Sequence, residues 1–248
     1  MGAQATLWDA HVHLPAFPDP ESEVLAARAR GMRVVSVTTN AREAPGNLEL
    51  KTKNPETVRS FIGVHPSDAA LPDPLSGLEG LWTRCDGVGE VGLDPKYSDL
   101  SANGPQMAVF KAQLEVASKL RKPVEVHSRD AEAACLDVLE GFSLRSVLMH
   151  WFEGEQVIRR AIELPRTYFS FGPALLYSKK LARIALAAPP DSILVESDGP
   201  VAFKALAGGG GPGMVASVVF RLGELWGVGT DEAAMRVESN TRRFLEEA

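Results

Sequence analysis

The five histidines of this 248-residue chain are His11, His13, His65, His127 and His150, and each falls at or just past the end of a segment that reads as a β-strand. His11 and His13 lie two apart on an extended run, so both rings project to one side. Glu90 sits in Gly87-Val88-Gly89-Glu90-Val91-Gly92-Leu93-Asp94, where small flanking residues leave room around a carboxylate. His127 ends Val124-Glu125-Val126-His127, His150 ends Val147-Leu148-Met149-His150, and Asp198 ends Leu194-Val195-Glu196-Ser197-Asp198. A lone histidine on an apolar strand is usually a satisfied core residue. Six such groups gathered at strand ends are another matter, because burying them without partners is costly and metal ions supply the partners. Four imidazoles and two carboxylates exceed what one tetrahedral zinc takes. They suit two divalent cations roughly 3.5–4 Å apart, sharing a bridging carboxylate and water. The predicted cofactors are therefore two divalent metal ions; mixed nitrogen and oxygen donors fit Mg²⁺, Mn²⁺ or Zn²⁺.

Residues scattered from position 11 to 198 converge only if the fold brings strand ends together. Short apolar segments alternate with longer stretches of helical period. Strands are expected at Leu7–His13, Arg33–Thr39, Ser60–His65, Gly87–Leu93, Pro123–His127, Ser146–His150, Thr167–Phe171 and Ile193–Asp198. Helical candidates include Glu21–Arg30, Gln106–Arg121, Ala131–Gly141, Gln156–Leu164 and Ser178–Ala187. The clearest puts Met107, Phe110, Leu114 and Ala117 on one face, with Asn103-Gly104-Pro105 as its start signal. Eight βα units imply an α/β fold with parallel strands, closed as a (β/α)₈ TIM barrel, whose strand C-termini share one face. An open doubly wound sheet is the alternative. No linker divides the chain, so residues 1–248 read as one domain. The Gly208–Gly211 run reads as a surface loop, since no strand leads directly into it and no Gly-Lys-Ser/Thr follows.

Lys plus Arg number 26 against 32 Asp plus Glu, a formal charge of -6. That argues against broad duplex binding, which needs many basic contacts to phosphate, but not against a nucleic acid held at a locally positive metal site. Two cysteines, Cys85 and Cys135, make no disulfide framework and point to a reducing cytoplasm. No apolar run approaches the roughly 20 residues of a membrane span, and the N-terminus lacks the look of a signal peptide. The expected protein is cytoplasmic, off the membrane, and by default a monomer.

The set Asp9-Ala10-His11-Val12-His13, Gly63-Val64-His65-Pro66, Gly89-Glu90-Val91-Gly92-Leu93-Asp94, His127-Ser128-Arg129-Asp130-Ala131, His150-Trp151-Phe152-Glu153-Gly154 and Glu196-Ser197-Asp198-Gly199-Pro200 resembles the TatD-type metal-dependent DNases of the amidohydrolase superfamily. The motifs stand in that family's order from about residue 6 onward, and Ser239-Asn240-Thr241-Arg242-Arg243-Phe244 looks like its closing helix. The resemblance implies a (β/α)₈ barrel and metal-dependent phosphodiester hydrolysis, often as a 3′ exonuclease. It makes His11, His13, Glu90 and Asp198 ligands of one metal, with Glu90 bridging to a second held by His127 and His150. It also makes His65 and Arg129 face the substrate. Two departures leave the metal residues intact and bear on the substrate. Pro95 stands where an aromatic residue usually follows Gly-Leu-Asp, and Val201-Ala202-Phe203-Lys204 replaces a basic, Asn-Glu-Pro-like segment.

The chemistry expected is attack on a phosphodiester by a water that two metals activate, with Asp198 and Glu90 as the catalytic carboxylates. Asp198 is placed to hold the nucleophile and take its proton. Arg129 is suited to a phosphate oxygen, its alternative being an ion pair with Asp130 or Glu132. His65 is suited to a phosphate or leaving oxygen, its alternative being a strand-end histidine beside Pro66. Of the four tryptophans, Trp151 directly follows a ligand candidate and best suits base stacking. Trp82 and Trp226 read as helical core residues, and the two cysteines as buried structural ones. The expected partner is single-stranded nucleic acid or a small phosphodiester or ester. Two other classes stay open: hydrolysis of a non-nucleic-acid ester, amide or lactone on the same barrel, and a barrel that only binds.

Overall fold

The computed structural model describes residues 5–101, 104–201 and 209–246. Its strands are β1 (Trp8–Val12), β2 (Arg33–Ser36), β3 (Val58–Ser60), β4 (Val88–Gly92), β5 (Val124–His127), β6 (Val147–Met149), β7 (Thr167–Phe171) and β8 (Ile193–Val195). Its helices are α1 (Pro20–Ala29), α2 (Ala44–Lys53), α3 (Pro105–Leu120), α4 (Glu132–Leu139), α5 (Ile158–Glu163), α6 (Lys179–Ala187), α7 (Val215–Trp226) and α8 (Thr230–Leu245).

Every ladder is parallel, in the order β1-β2-β3 and β4-β5-β6-β7-β8. A few backbone links cross the two seams. A parallel bridge joins Phe61, just past β3, to Gly87, just before β4. At the other seam, Asp198 N donates to His11 O at 3.0 Å and His13 N donates to Gly199 O at 2.8 Å. The strand order thus returns to its start, as in a TIM-barrel-type α/β fold. Val, Ile, Leu and Phe fill the strands because both faces are covered, one by helices and one by the interior.

The interior is layered by the two-residue period of the strands. Trp8, Ala10, Val35, Val37, Phe61, Leu148, Tyr168 and Leu194 come from both sheets into one apolar cluster, with Phe244 of α8 packed against it. Two residues further along the chain the interior turns polar: Tyr168 gives way to Ser170 and Leu194 to Glu196, both fully buried. Glu125, opposite Leu148 in the ladder, is fully buried as well. Another step of two reaches His127 and Asp198, while Leu148 leads directly to His150. The chemistry-bearing residues therefore sit above an acidic layer, which itself sits on an apolar floor.

All eight expected strands are present, with one displaced. The third was expected at Ser60–His65, but its ladder pairs Val58–Ser60 with β2, and the chain then continues to His65 outside regular pairing. Met107, Phe110, Leu114 and Ala117 of α3 are buried as the spacing predicts. Gly104 caps that helix and Pro105 is its first residue; Asn103 lies outside the described residues. α2 was not anticipated: Pro45 and Gly46 in its first turn mask a helical signal. Trp82 is buried as expected but in a run of turns rather than a helix, its Nε1 donating to Ile62 O at 3.1 Å. The expected closing helix is α8, where Asn240 Nδ2 donates to Pro190 O and Ile193 O and so anchors the start of β8. Gly209–Gly211 lead into a 3₁₀ turn at Pro212–Met214 and then α7. Gly208 and Ala202-Phe203-Lys204 lie outside the described residues. Among those described, no helix is long and apolar enough to cross a membrane.

Candidate metal centre

All six residues expected to hold metal converge at the C-terminal ends of the strands, and five of them gather around the sixth, Glu90. Its carboxylate, 2% exposed as a residue, faces two separate donor sets. Oε2 lies 3.5 Å from His13 Nε2 and 3.9 Å from His11 Nε2. Those two nitrogens are 3.3 Å apart, and Asp198 Oδ1 stands 3.2 Å from His13 Nε2 and 3.5 Å from His11 Nε2. Oε1 lies 2.8 Å from both His127 Nδ1 and His150 Nε2, which are 3.3 Å from each other. Metal–ligand bonds of about 2.1 Å put neighbouring donors roughly 3.0–3.4 Å apart, and the separations here, 3.2–3.9 Å in the first set and 2.8–3.3 Å in the second, bracket that spacing.

Glu90 fits because its surroundings are small. A Cβ on Gly89 would lie 2.9 Å from Glu125 Cβ, and one on Gly63 would lie 2.7 Å from the Gly89 carbonyl carbon. The flanking glycines thus let three strand segments approach one another around the carboxylate.

Buried acids orient the imidazoles. His11 Nδ1 is 2.8 Å from Glu125 Oε2, so with its proton there its Nε2 lone pair faces His13 and Asp198. His127 Nε2 is 2.8 Å from Asp94 Oδ2, so with its proton there the Nδ1 lone pair faces the space beside Glu90. Asp9 accepts from Ser197 N and Oγ and from His11 N, tying the end of β8 to β1. Glu196 accepts from Trp151 N at 2.8 Å and from Ser170 Oγ at 2.5 Å, and its Oε2 lies 3.7 Å from His150 Nδ1. These four acids received no role from the sequence. A signal was there: Asp9, Glu125 and Glu196 each stand two residues before a ligand candidate on the same strand, hence on the same face.

The charges follow from this packing. Burial and the adjacent His150 hold His11 well below the usual histidine range. Burial also opposes charge on His13, His127 and His150, yet their carboxylate neighbours raise all three: Asp198 and Glu90 for His13, Asp94 and Glu90 for His127, Glu90 and Glu196 for His150. Burial would push Glu90 up, but the charges of His65 and His150 and the bonds from His127 and His150 hold it well below its usual value. Burial pushes Asp9 up to about 7 against its bonds from Ser197, and drives Glu125 well up. A strongly anionic Glu90 inside a ring of imidazoles is a setting that attracts cations.

His65 and Arg129 also reach the site. Ser67 N donates to His65 Nδ1 at 3.1 Å, so the neutral ring carries its proton on Nε2, 3.8 Å from Glu90 Oε1. Burial lowers this ring to about 4, against the opposing charge of Glu90. His65 therefore presents a donor to the site. Arg129, with a side chain 44% exposed, pairs with Asp94 at 2.6 Å rather than with Asp130 or Glu132. Tyr97, two residues past Pro95, lies beside these groups: its ring is 5.5 Å from His65, with the Arg129 guanidinium 5.7 Å from the ring centroid.

α3 fixes the loops that carry these groups. Gln106, in its first turn, accepts from Asp94 N at 2.7 Å and donates to Asp94 O at 2.8 Å. Gln113, seven residues on, does the same for Val64, next to His65. Trp151 borders the cleft at the site, whereas Trp8 and Trp82 are buried in the core and Trp226 ends α7. Cys85 and Cys135 are buried and free, as expected.

Comparison with known proteins identifies the family. The chain is 28% identical over 213 residues to the human deoxyribonuclease TATDN3, covering 78% of each chain. It is 28% identical over 209 residues to the metal-dependent hydrolase YabD of Bacillus subtilis, covering 78% of this chain and 80% of the relative. A crystal structure of a TatD homologue from Escherichia coli superposes with a TM-score of 0.80 at 23% identity, over 98% of both chains. The TatD related DNase family model matches residues 8–246, and the chain belongs to that family of metal-dependent hydrolases.

Proposed function

We propose that this chain hydrolyses phosphodiester bonds in single-stranded DNA, releasing nucleotides from a 3′ end. The observation that carries the two-ion part of this reading is the division of Glu90 between two donor sets. His11, His13 and Asp198 with Glu90 Oε2 would hold one divalent cation, and His127 and His150 with Glu90 Oε1 the other. Mg²⁺, Mn²⁺ and Zn²⁺ all suit these donors. When bound, such a pair of cations makes water a nucleophile near neutral pH and stabilises charge on the phosphoryl oxygens. The name of the human relative supports DNA as the substrate.

The remaining work falls to the chain's own groups. Asp198, 8% exposed and lining the cleft, accepts the proton of the attacking water. The P–O bond to the sugar on the far side breaks as the new one forms. His65 donates its Nε2–H to a phosphoryl or leaving oxygen. Arg129 spends one N–H on Asp94 and keeps others for a phosphate oxygen.

Asp94 joins these roles, since Oδ2 meets both His127 and Arg129. Asp94→Asn protein should bind its metals about 10–100-fold more weakly, the usual cost of losing an outer partner of a ligating histidine. Competition against a fluorescent chelator reads this directly, and unchanged affinity would remove Asp94 from the centre.

The function itself is tested with a short, 5′-labelled single-stranded DNA and metal-stripped protein to which Mg²⁺, Mn²⁺ or Zn²⁺ is restored separately. Stepwise shortening that depends on restored metal is the expected result. Absence of cleavage with every metal, in protein loaded with both ions, would overturn the DNase reading and direct attention to esters, amides and lactones.

A further inference from the structure

The cleft that opens from His127, His150 and Asp198 encloses about 540 Å³, far more than a phosphate needs. Trp151, half-buried, and Tyr177, 48% exposed, stand on its walls, so flat apolar surface lies next to the reacting centre. Glu132, the first residue of α4, lines the same cleft and is only 7% exposed. Gly154 makes room for it: a Cβ there would lie 3.1 Å from Glu132 Cβ. The Glu132 carboxylate accepts from its own backbone N–H and has the charge of Lys180 nearby, while Lys180 itself is held by Glu153 at 3.0 Å.

A carboxylate has about four lone-pair positions, so one backbone bond leaves Glu132 free to accept from a ligand that bears N–H donors. A phosphate is repelled there. A nucleobase is not, since it combines a flat face for stacking with a neutral edge that carries donors.

We infer that this cleft holds the terminal nucleobase of the strand, stacked on its aromatic wall, with Glu132 accepting hydrogen bonds from the base edge. The inference rests on the phosphodiesterase reading above and adds selectivity for the nucleotide removed. Guanine suits best, because N1–H and the N2 amine present two parallel donors to the two carboxylate oxygens. Thymine suits least, because its single N3–H is flanked by two carbonyl oxygens that face the carboxylate.

The test uses metal-loaded protein and four single-stranded oligonucleotides that differ only in the 3′ nucleotide, with kcat/KM measured for release of that nucleotide. Wild-type protein should release dG at least about tenfold faster than dT, within the range that a bidentate base contact provides. Glu132→Gln should lose most of this preference while its thermal melt stays near that of wild type; Glu132→Asp, which restores the carboxylate, should regain part of it. Equal release of all four, preference for dT, or a preference unchanged in Glu132→Gln would overturn the inference alone. Cleavage of none of the four would overturn the phosphodiesterase reading, and this inference with it.

Discussion

Glu90→Gln protein is expected to hydrolyse DNA slower by on the order of 10³-fold or more, the upper end of the cost of removing one preorganised electrostatic group. The substitution keeps the side chain's shape and removes its symmetry. One oxygen of Glu90 faces the His11 and His13 nitrogens and the other faces those of His127 and His150. A glutamine amide must turn its NH₂ toward one of these sets, pointing hydrogens where lone pairs converge. One cation site is lost whichever way the amide turns. A variant within tenfold of wild type, assayed with saturating metal, would show that Glu90 does not bridge.

The largest effect on stability is expected at Gly92. This residue has φ +144°, in the region that favours glycine, and it stands opposite His127 in the β4–β5 ladder. A Cβ there would lie 2.0 Å from His127 O and 2.9 Å from its carbonyl carbon, and backbone cannot swing aside as a side chain can. Gly92→Ala should cost about 3 kcal/mol or more, combining backbone strain with overpacking. For a chain of this length that lowers Tm by roughly 6–12 °C. Gly46→Ala provides the contrast: Gly46 is helical, nothing lies within 4 Å of its built Cβ, and the change should be neutral or stabilise by up to about 1 kcal/mol. Thermal melts of the two proteins decide the matter. Similar Tm values for both would contradict the tight β4–β5 approach on which the position of His127 depends.

The convergence of six polar residues was legible in the sequence, for a physical reason. A histidine or acid at the end of an otherwise apolar strand has few stable explanations, and the two-residue period fixes which side of the strand it takes. That is why His11, His13, Glu90, His127, His150 and Asp198 all converge as expected. The acids behind them were harder to read. Glu125 within Val124-Glu125-Val126 shows no partner until the barrel brings it to His11, 114 residues away. Arg129 was weighed against its sequence neighbours, yet its partner Asp94 arrives from the end of another strand. The same blindness to distant contacts hid the roles of Gln106 and Gln113. On α3 they read as polar residues on a helix, and only the fold shows each clamping the backbone of a strand-end residue. Local signals failed elsewhere, too: Pro45 and Gly46 obscured α2, and the segment around Trp82 buried an aromatic residue without forming a helix.

The central claim is that one carboxylate holds two ions, and the measurement that tests it most directly is a metal count joined to anomalous scattering. Protein stripped of metal, reloaded with Zn²⁺ and freed of excess should contain two ions per chain. Anomalous maps should place one beside Glu90 Oε2 with His11, His13 and Asp198, and the other beside Oε1 with His127 and His150. A single ion per chain, or two ions of which Glu90 touches only one, would contradict the account.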